Sequence, residues 1–510
     1  MDKNLLLAVG LSIAVYGAWF GFIDPKLNPK PVKPAVAAAT KAAAKTAAAP
    51  TAAPAPSLPA AATAAKAAAP AGEPLPQRLG EVAALVSPRG GALVSYKQPE
   101  PLGLVELVAD AERGLFSTMP DLSFGRDPKL KDPAALAAER ADGLKVVKQY
   151  LPGQGQVLSR LRVIASNPTR RPLEVGAWTL TVGPGLGTIA TEKKENADVL
   201  RAIGLKPGSE GLRGSVETLK DGVYPTPYRW VAVDNRYFLA AVVPSWEHFE
   251  PARVEGKSAL TLTAKPVTLP PGGTFTWELP YYLGPKGQTS LASYGIGLER
   301  AVDFGYFWQI GRPMLNALWW LNARLGNWGW AIVVLTLALQ VLLFPLTWKS
   351  LKAAAAMKKL QPEMAKLQAK YKEDPQRLNQ EMMGLYKKTG ANPLGGCLPM
   401  LLQMPIFIAL FNVLRNSWEL HGAPWMFWVV DLSAKDPYYV LPVVMGGLMW
   451  LQSKLNPPSA DPTQQQVMMF MPIIFTFMFL NFPSGLVLYW LTNSLVSTVL
   501  QVGLKDRLEA

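Results

Sequence analysis

The chain has 510 residues, of which 49% are hydrophobic and only 17% charged, and a formal net charge of +14. Soluble domains carry about 25% charged residues, so this composition excludes an ordinary soluble protein, and at ~150 residues per domain the length excludes a single core. The positive excess points to anionic lipid or nucleic acid, one cysteine (Cys397) excludes an internal disulfide, and two histidines (His248, His421) leave little room for histidine chemistry.

Residues 1–23 read as a retained transmembrane anchor, because positions 4–23 are almost uncharged over about one bilayer crossing. Residues 24–75 are a linker. Between 31 and 70, 21 of 40 residues are Ala and 7 are Pro, and the prolines break the helix that the alanines would otherwise form. Residues 76–300 carry short alternating or β-branched runs separated by Gly, Pro and Asn, which predicts an all-β sandwich. Trp178, Trp230, Trp246 and Trp277 in this block are either core or the lining of a sugar site.

Residues 301–326 combine Tyr306, Phe307, Trp308, Trp319 and Trp320 with Arg312 and Arg324, the pattern of an amphipathic helix in the headgroup region. Residues 327–504 form a helical core, with spans expected at 328–347, 398–414, 438–453, 467–482 and 486–502. Between the first two spans, Met357, Leu360, Met364, Leu367 and Tyr371 form one apolar seam and Leu378, Met382 and Leu385 a second. They predict a helical hairpin over 349–389, broken at Asp374-Pro375. The loops on one side carry 13 Lys/Arg against 1 on the other, which places the hairpin and the tail 505–510 in the cytoplasm, the N-terminus inside and the β block outside.

Polar residues within the spans are the most informative. Thr336 and Gln340 share a face at i,i+4. Trp490, Asn493, Ser494, Ser497 and Gln501 recur along the last span. Gln403 and Asn412, nine residues apart, point to opposite faces, and Gln403 is assigned to the same side as the others. Two readings stand: these groups bond helix to helix, or they share a wet cavity. A softer stripe runs through Met468, Met471, Phe475 and Met478, with Met404, Phe407 and Phe411 on the neighbouring span. It is either bundle packing or a surface for varied apolar partners. Neither a phosphate-binding glycine loop nor a Gly-x-Ser-x-Gly elbow occurs, so nucleotide hydrolysis and acyl transfer have no evident home.

Several motifs occur together: Phe344-Pro-Leu-Thr, Asn392-Pro-Leu-Gly-Gly-Cys-Leu-Pro399, Gln403-Met-Pro-Ile-Phe407, Asp436-Pro-Tyr-Tyr439 and Phe482-Pro-Ser-Gly-Leu-Val-Leu-Tyr489, with Gly326-Asn-Trp-Gly329 and Trp230-Val-Ala232. They resemble the YidC/Oxa/Alb family of membrane protein insertases, in its Gram-negative form with a large periplasmic domain. The match is dense over 303–504 and looser over the β block. The resemblance implies a multi-domain membrane protein: an N-terminal anchor helix, a periplasmic all-β supersandwich and an all-α five-helix insertase core. That core would enclose a hydrophilic groove open to cytoplasm and lipid. It places Thr336 and Gln340 on the groove-lining helix and matches Tyr489 and Trp490 to a pair of aromatics on the last helix; with Gln403 and Asn493 from the polar stripes, these are the expected groove residues. Met404, Phe407, Phe411, Met468, Met471 and Phe475 would form the slide along which a substrate helix leaves. It implies no enzyme activity, no cofactor, metal or catalytic residue, and no DNA partner. The implied partners are nascent membrane proteins, the Sec translocon, the ribosome with signal-recognition targeting factors, and anionic lipids. The implied location is the inner membrane, multi-pass, with both termini cytoplasmic. Gln340 stands where most bacterial relatives carry arginine, and Trp490 where a second tyrosine is usual. A solute transporter or channel, a membrane-tethered carbohydrate-active enzyme and an assembly scaffold are the competing readings.

Overall fold

The computed structural model describes residues 72–504, apart from 131, 133, 209–215, 226, 372–373, 390–397 and 456–461. The predicted anchor, most of the linker, the tail 505–510 and most of the 392–399 motif therefore lie outside the described residues.

The β region is antiparallel wherever its strands pair. A meander of Leu75–Leu79, Val82–Val86, Leu93–Glu100 and Gly103–Glu106 precedes a nine-stranded sheet. That sheet is built around the long strand Thr274–Pro285, which pairs with Ser159–Ser166 on one side and Phe238–Val242 on the other. A second sheet, of Trp178–Val182, Ala259–Ala264, Ala252–Glu255 and Gly222–Tyr224, shares its hydrophobic core. Strands such as Ala259–Ala264 are half-buried, every second residue inward, as the alternation of their sequence requires. Trp230–Asp234 and Phe238–Val242 are buried throughout. Val231 and Val233 face the sandwich, whereas Trp230 and Ala232 face a second core shared with the helices. A strand covered on both sides reads as a continuous apolar run rather than an alternating one.

The tryptophans of this region belong to the cores. Trp178 and Trp277 meet edge to face at 5.4 Å, Trp230 is fully buried, and Trp246 is partly buried with Nε1 donating to the Tyr228 carbonyl at 2.7 Å. The sugar-platform reading fails on that geometry.

Among the described residues a one-turn helix (Gln288–Ser293) and then seven long helices follow: α1 (Trp308–Leu325), α2 (Trp328–Lys370), α3 (Pro375–Thr389), α4 (Leu398–Asn416), α5 (Val440–Leu455), α6 (Pro462–Phe479) and α7 (Ser484–Gly503). Gly326, at φ 65°, ends α1 in a left-handed cap that L side chains disfavour, and Asn327 opens α2 by accepting from the Trp330 N–H. Asp374 opens α3 by accepting from the Arg377 N–H at 3.1 Å. The expected span 328–347 and the first arm of the expected hairpin 349–389 lie on one helix of 43 residues, α2, which runs through both without a break. Its composition turns from apolar to basic near Lys349 while its helical period continues, and Pro345 and Pro362 each remove one backbone donor without ending it. By length and composition, α2 and α7 suffice to cross a membrane, and α5 and residues 469–479 of α6 are shorter apolar helices.

α7 packs along α2 and α5, α5 along α6, and α1 against both α2 and α4. The α4–α5 connection closes over the ends of these helices. Asp436, buried, accepts from Trp428 Nε1 at 3.0 Å, Tyr438 N at 3.0 Å and Leu441 N at 2.7 Å, so it fixes the loop and opens α5 together. Ser484 N donates to Ala434 O at 2.7 Å and Gly485 N to Leu432 O at 2.9 Å, stitching the loop to the α6–α7 turn. A Cβ at Gly485 would stand 3.2 Å from the Leu432 oxygen, which explains the small residues of that motif. His421 joins the loop to the β region. Its ring stacks on Tyr237 at 5.6 Å, hydrogen-bonds Glu100 and lies 3.6 Å from Asp431.

Candidate functional site

α2, α4, α5 and α7 enclose a cavity of about 330 Å³. Its polar lining comes from Thr347 and Ser350 on α2, Gln403 on α4, Gln452 on α5 and Asn493, Ser494, Ser497 and Gln501 on α7. Its apolar lining is Leu351, Met404, Phe407, Met449 and Trp490. All the polar groups are neutral. Amides and hydroxyls bind water without the cost, about 2.5–3.5 kcal/mol at a helix centre, of placing a charge in the bilayer. Gln403 lies in the first turns of α4, Gln452 in the last turn of α5 and Gln501 in the last turn of α7. The cavity therefore sits at the end of the bundle that carries the basic α2–α3 hairpin, and the Asp436 loop covers the opposite end.

The residues predicted for the groove divide. Gln403, Trp490 and Asn493 line the cavity. Gln340 does not, but its Nε2 donates to Asn493 Oδ1, so it braces the wall from the buried side. Tyr489 is buried one position from Trp490 and hydrogen-bonds Gln403. Thr336 departs furthest from expectation. It is buried, its hydroxyl donates to the Ile332 carbonyl of its own helix at 2.7 Å, and eleven residues, roughly 16 Å of helix, separate it from Thr347. Asn412 likewise bonds its own helix, at the Ile408 carbonyl, away from this cavity.

The residues predicted for the slide divide too. Trp490 is the hub of an aromatic cluster, 4.9 Å from Phe407, 5.8 Å from Phe475 and 5.5 Å from Phe479 by ring centroids. Phe411 lies a turn beyond Phe407, its ring tilted 36° at 6.5 Å, and meets Phe482 at 5.7 Å. Met404 is half-exposed at the cavity wall and Met471 is exposed, so the Met/Phe stripe on α6 is split between an inward Phe475 and an outward Met471. The side chain of Met468 lies outside the described residues. Gln452, Thr347 and Ser350 are lining residues that sequence reasoning missed. Each stands at a span end beside basic residues, where polarity reads as a boundary; only Gln452, two positions before Lys454 in an otherwise apolar run, carried a usable signal.

Residues 320–510 match the family described as 60Kd inner membrane protein, and residues 125–317 match the YidC periplasmic domain. A curated membrane protein insertase YidC of Endomicrobium trichonymphae is 38% identical over 435 residues, covering 82% of this chain and 82% of its own. The chain belongs to the YidC family of membrane protein insertases. Another YidC, of Stutzerimonas stutzeri (strain A1501), is 34% identical over 474 residues, 83% of this chain and 82% of that one. A solved structure described as an active YidC insertase with the first transmembrane domain resolved aligns over 85% of this chain and 93% of its own. The TM-score is 0.41 and the identity 19%. This YidC-family chain is thus a membrane protein with a periplasmic β domain and a helical core. The relatives are insertases by name, which leaves the transporter or channel reading without support.

Proposed function

We propose that the cavity is a water-filled groove open to the cytoplasm, through which the polar tail of a nascent membrane protein starts its crossing before its apolar helix leaves sideways past Phe407, Phe475 and Trp490. The observation that carries this reading is the gathering of eight neutral polar residues from four helices at the hairpin end, under a loop that seals the other end. A wet recess of this kind shortens the dry path for the tail. Each charge at the bilayer centre costs about 2.5–3.5 kcal/mol and each Leu or Ile gains ~0.3–0.6, so a dozen apolar residues offset about two charges. That arithmetic fits short, weakly charged tails and needs no covalent step. The membrane potential adds ~2.3 kcal/mol per charge per 100 mV in the direction that moves acidic tails outward.

On this reading the chain is a multi-pass protein of the inner membrane with both termini cytoplasmic, as the 13-to-1 distribution of basic residues supports. The α2–α3 hairpin, with its lysines outward, faces anionic lipid, the ribosome and its targeting factors, and the insertase works alone or beside the Sec translocon. The test is solvent access in membranes. In a chain with Cys397 replaced by Ser, single cysteines at 403, 493 and 497 should react with a membrane-impermeant thiol reagent added from the cytoplasmic side. Those at 336 and 443 should not. A cysteine at 493 as inert as the lipid-exposed one at 443 overturns the groove.

A further inference from the structure

α4 carries a stripe at successive i,i+4 positions: Gln403, Phe407, Phe411 and Arg415. Gln403 lines the polar cavity, Phe407 touches Trp490, Phe411 meets Phe482, and the Arg415 guanidinium lies over the Phe411 ring at 5.6 Å. Twelve residues of helix rise roughly 18 Å and turn this stripe by about 120° around α4, so it winds from the groove to the other end of the helix. At its end lies a second cavity, of about 610 Å³, between the β domain, the end of α4 and the α6–α7 turn.

The walls of this second cavity differ from those of the groove. Phe411 and Phe482 form the membrane side, and four cations, Lys194, Arg236, Arg415 and Lys435, stand around two carboxylates, Glu192 and Glu195. Arg236 pairs with Glu192 and with Glu195 (2.7 Å), and Arg415 joins Glu195 at 3.1 Å. These pairs fix the two arginines. Lys194 and Lys435 have no carboxylate partner among the described residues; Lys435 reaches only the Tyr439 hydroxyl, at 3.4 Å. The excess is therefore positive and sits at the exposed rim.

We propose that this cavity receives the acidic, translocated segment of a client as it emerges, while the client's apolar helix still lies along Phe407 and Phe411. The proposal rests on the groove-and-slide reading and gives that route a periplasmic end. A carboxylate reaching the rim meets Lys194 and Lys435 first, and the fixed arginines lie behind them. A lysine-bearing tail meets the same charges as repulsion, so the site favours acidic tails over basic ones.

The test places p-benzoylphenylalanine at 194, 435 and 407 of the full-length chain in proteoliposomes, with a stalled client of one apolar helix and an acidic tail. Positions 194 and 435 should crosslink to the tail and 407 to the apolar helix. Crosslinks at 407 without any at 194 or 435 overturn the receiving site and leave the slide standing; silence at all three overturns both. In a second arm, the double variant Lys194→Gln, Lys435→Gln should lower the ratio of acidic-tail to uncharged-tail insertion about threefold, as two rim charges allow. An unchanged ratio overturns the proposal.

Discussion

The two halves of the molecule bury polar groups in opposite ways. In the β domain, Lys148 is fully enclosed with no carboxylate beside it; its ammonium donates to Gly90 O at 3.0 Å, Phe116 O at 2.6 Å and Thr118 Oγ1 at 3.1 Å. In the helical core one of the buried donors is the neutral amide of Gln340, and its acceptor is the side chain of Asn493. The difference follows from what each backbone has to spare. Loops can turn carbonyls inward: Gly90 has φ 64°, and Phe116, at φ 59°, holds a left-handed conformation that is rare for a bulky residue. Along a membrane helix nearly every carbonyl is already taken by its own ladder, so a short hydroxyl shares the carbonyl four residues back, as Thr336 and Thr492 do, whereas the long amide of Gln340 pairs with another side chain. Neutral pairs are what such a site tolerates.

The comparison breaks most sharply at Lys148. Lys148→Met fills the same space but leaves the Phe116 carbonyl unmatched, while Gly90 O keeps the Thr118 N–H and hydroxyl, and should destabilise the β domain by about 1–3 kcal/mol, read from thermal unfolding of the full chain followed by tryptophan fluorescence. Burial holds the Lys148 pKa well below its ordinary 10.5. Between the lowered folded value and 10.5 the unfolded chain binds the extra proton, so raising pH through that window stabilises the native protein, and the gap to the Met variant should widen. A gap under ~0.5 kcal/mol would mean that the Phe116 carbonyl finds water instead.

A smaller break is expected in the helical core. Gln340→Leu leaves Asn493 short of one neutral bond, worth ~0.6–1.7 kcal/mol in membrane helices, and Gln340→Leu with Asn493→Leu should recover most of that loss. The measurement is unfolding of the purified chain in detergent. A double variant as unstable as the sum of the singles would show that the two side chains act independently and that the brace is not a pair.

How much of this was readable in the sequence depended on periodicity. Gln403 and Phe407 were legible because i,i+4 spacing in an apolar span fixes a face whatever the neighbours do. Lys148 was legible in principle: in Lys145–Leu151 it shares parity with Val146 and Tyr150, both buried, so the pleat had already placed it inside. What no local pattern conveys is the partner. Thr336 shares a face with Gln340, yet its hydroxyl is satisfied by its own helix, and spacing cannot tell a hydroxyl that looks outward from one folded back on Ile332. Continuity of α2 was hidden for a related reason, since hydropathy marks where the solvent changes and not where the helix ends.

The smallest effect tests the surface of the β domain, where charge is paired rather than buried. Arg140 donates from Nε to Asp142 at 2.9 Å and from Nη2 at 2.6 Å, and hydrogen bonding from the guanidinium holds the Asp142 carboxyl at about 2. The folded value is depressed, so the pair's contribution is complete above the ordinary value near 4 and is lost as pH falls towards 2. Both side chains keep contact with solvent (24% and 33% exposed), which screens the pair and keeps its worth to a few tenths of a kcal/mol, within the range of exposed ion pairs. Asp142→Asn should therefore lower the neutral plateau by a few tenths of a kcal/mol and flatten the acid limb between pH 4 and 2, with the acid end almost unmoved. An acid limb identical to that of the unmodified chain would mean that solvent screening leaves this bidentate pair with no net stabilisation.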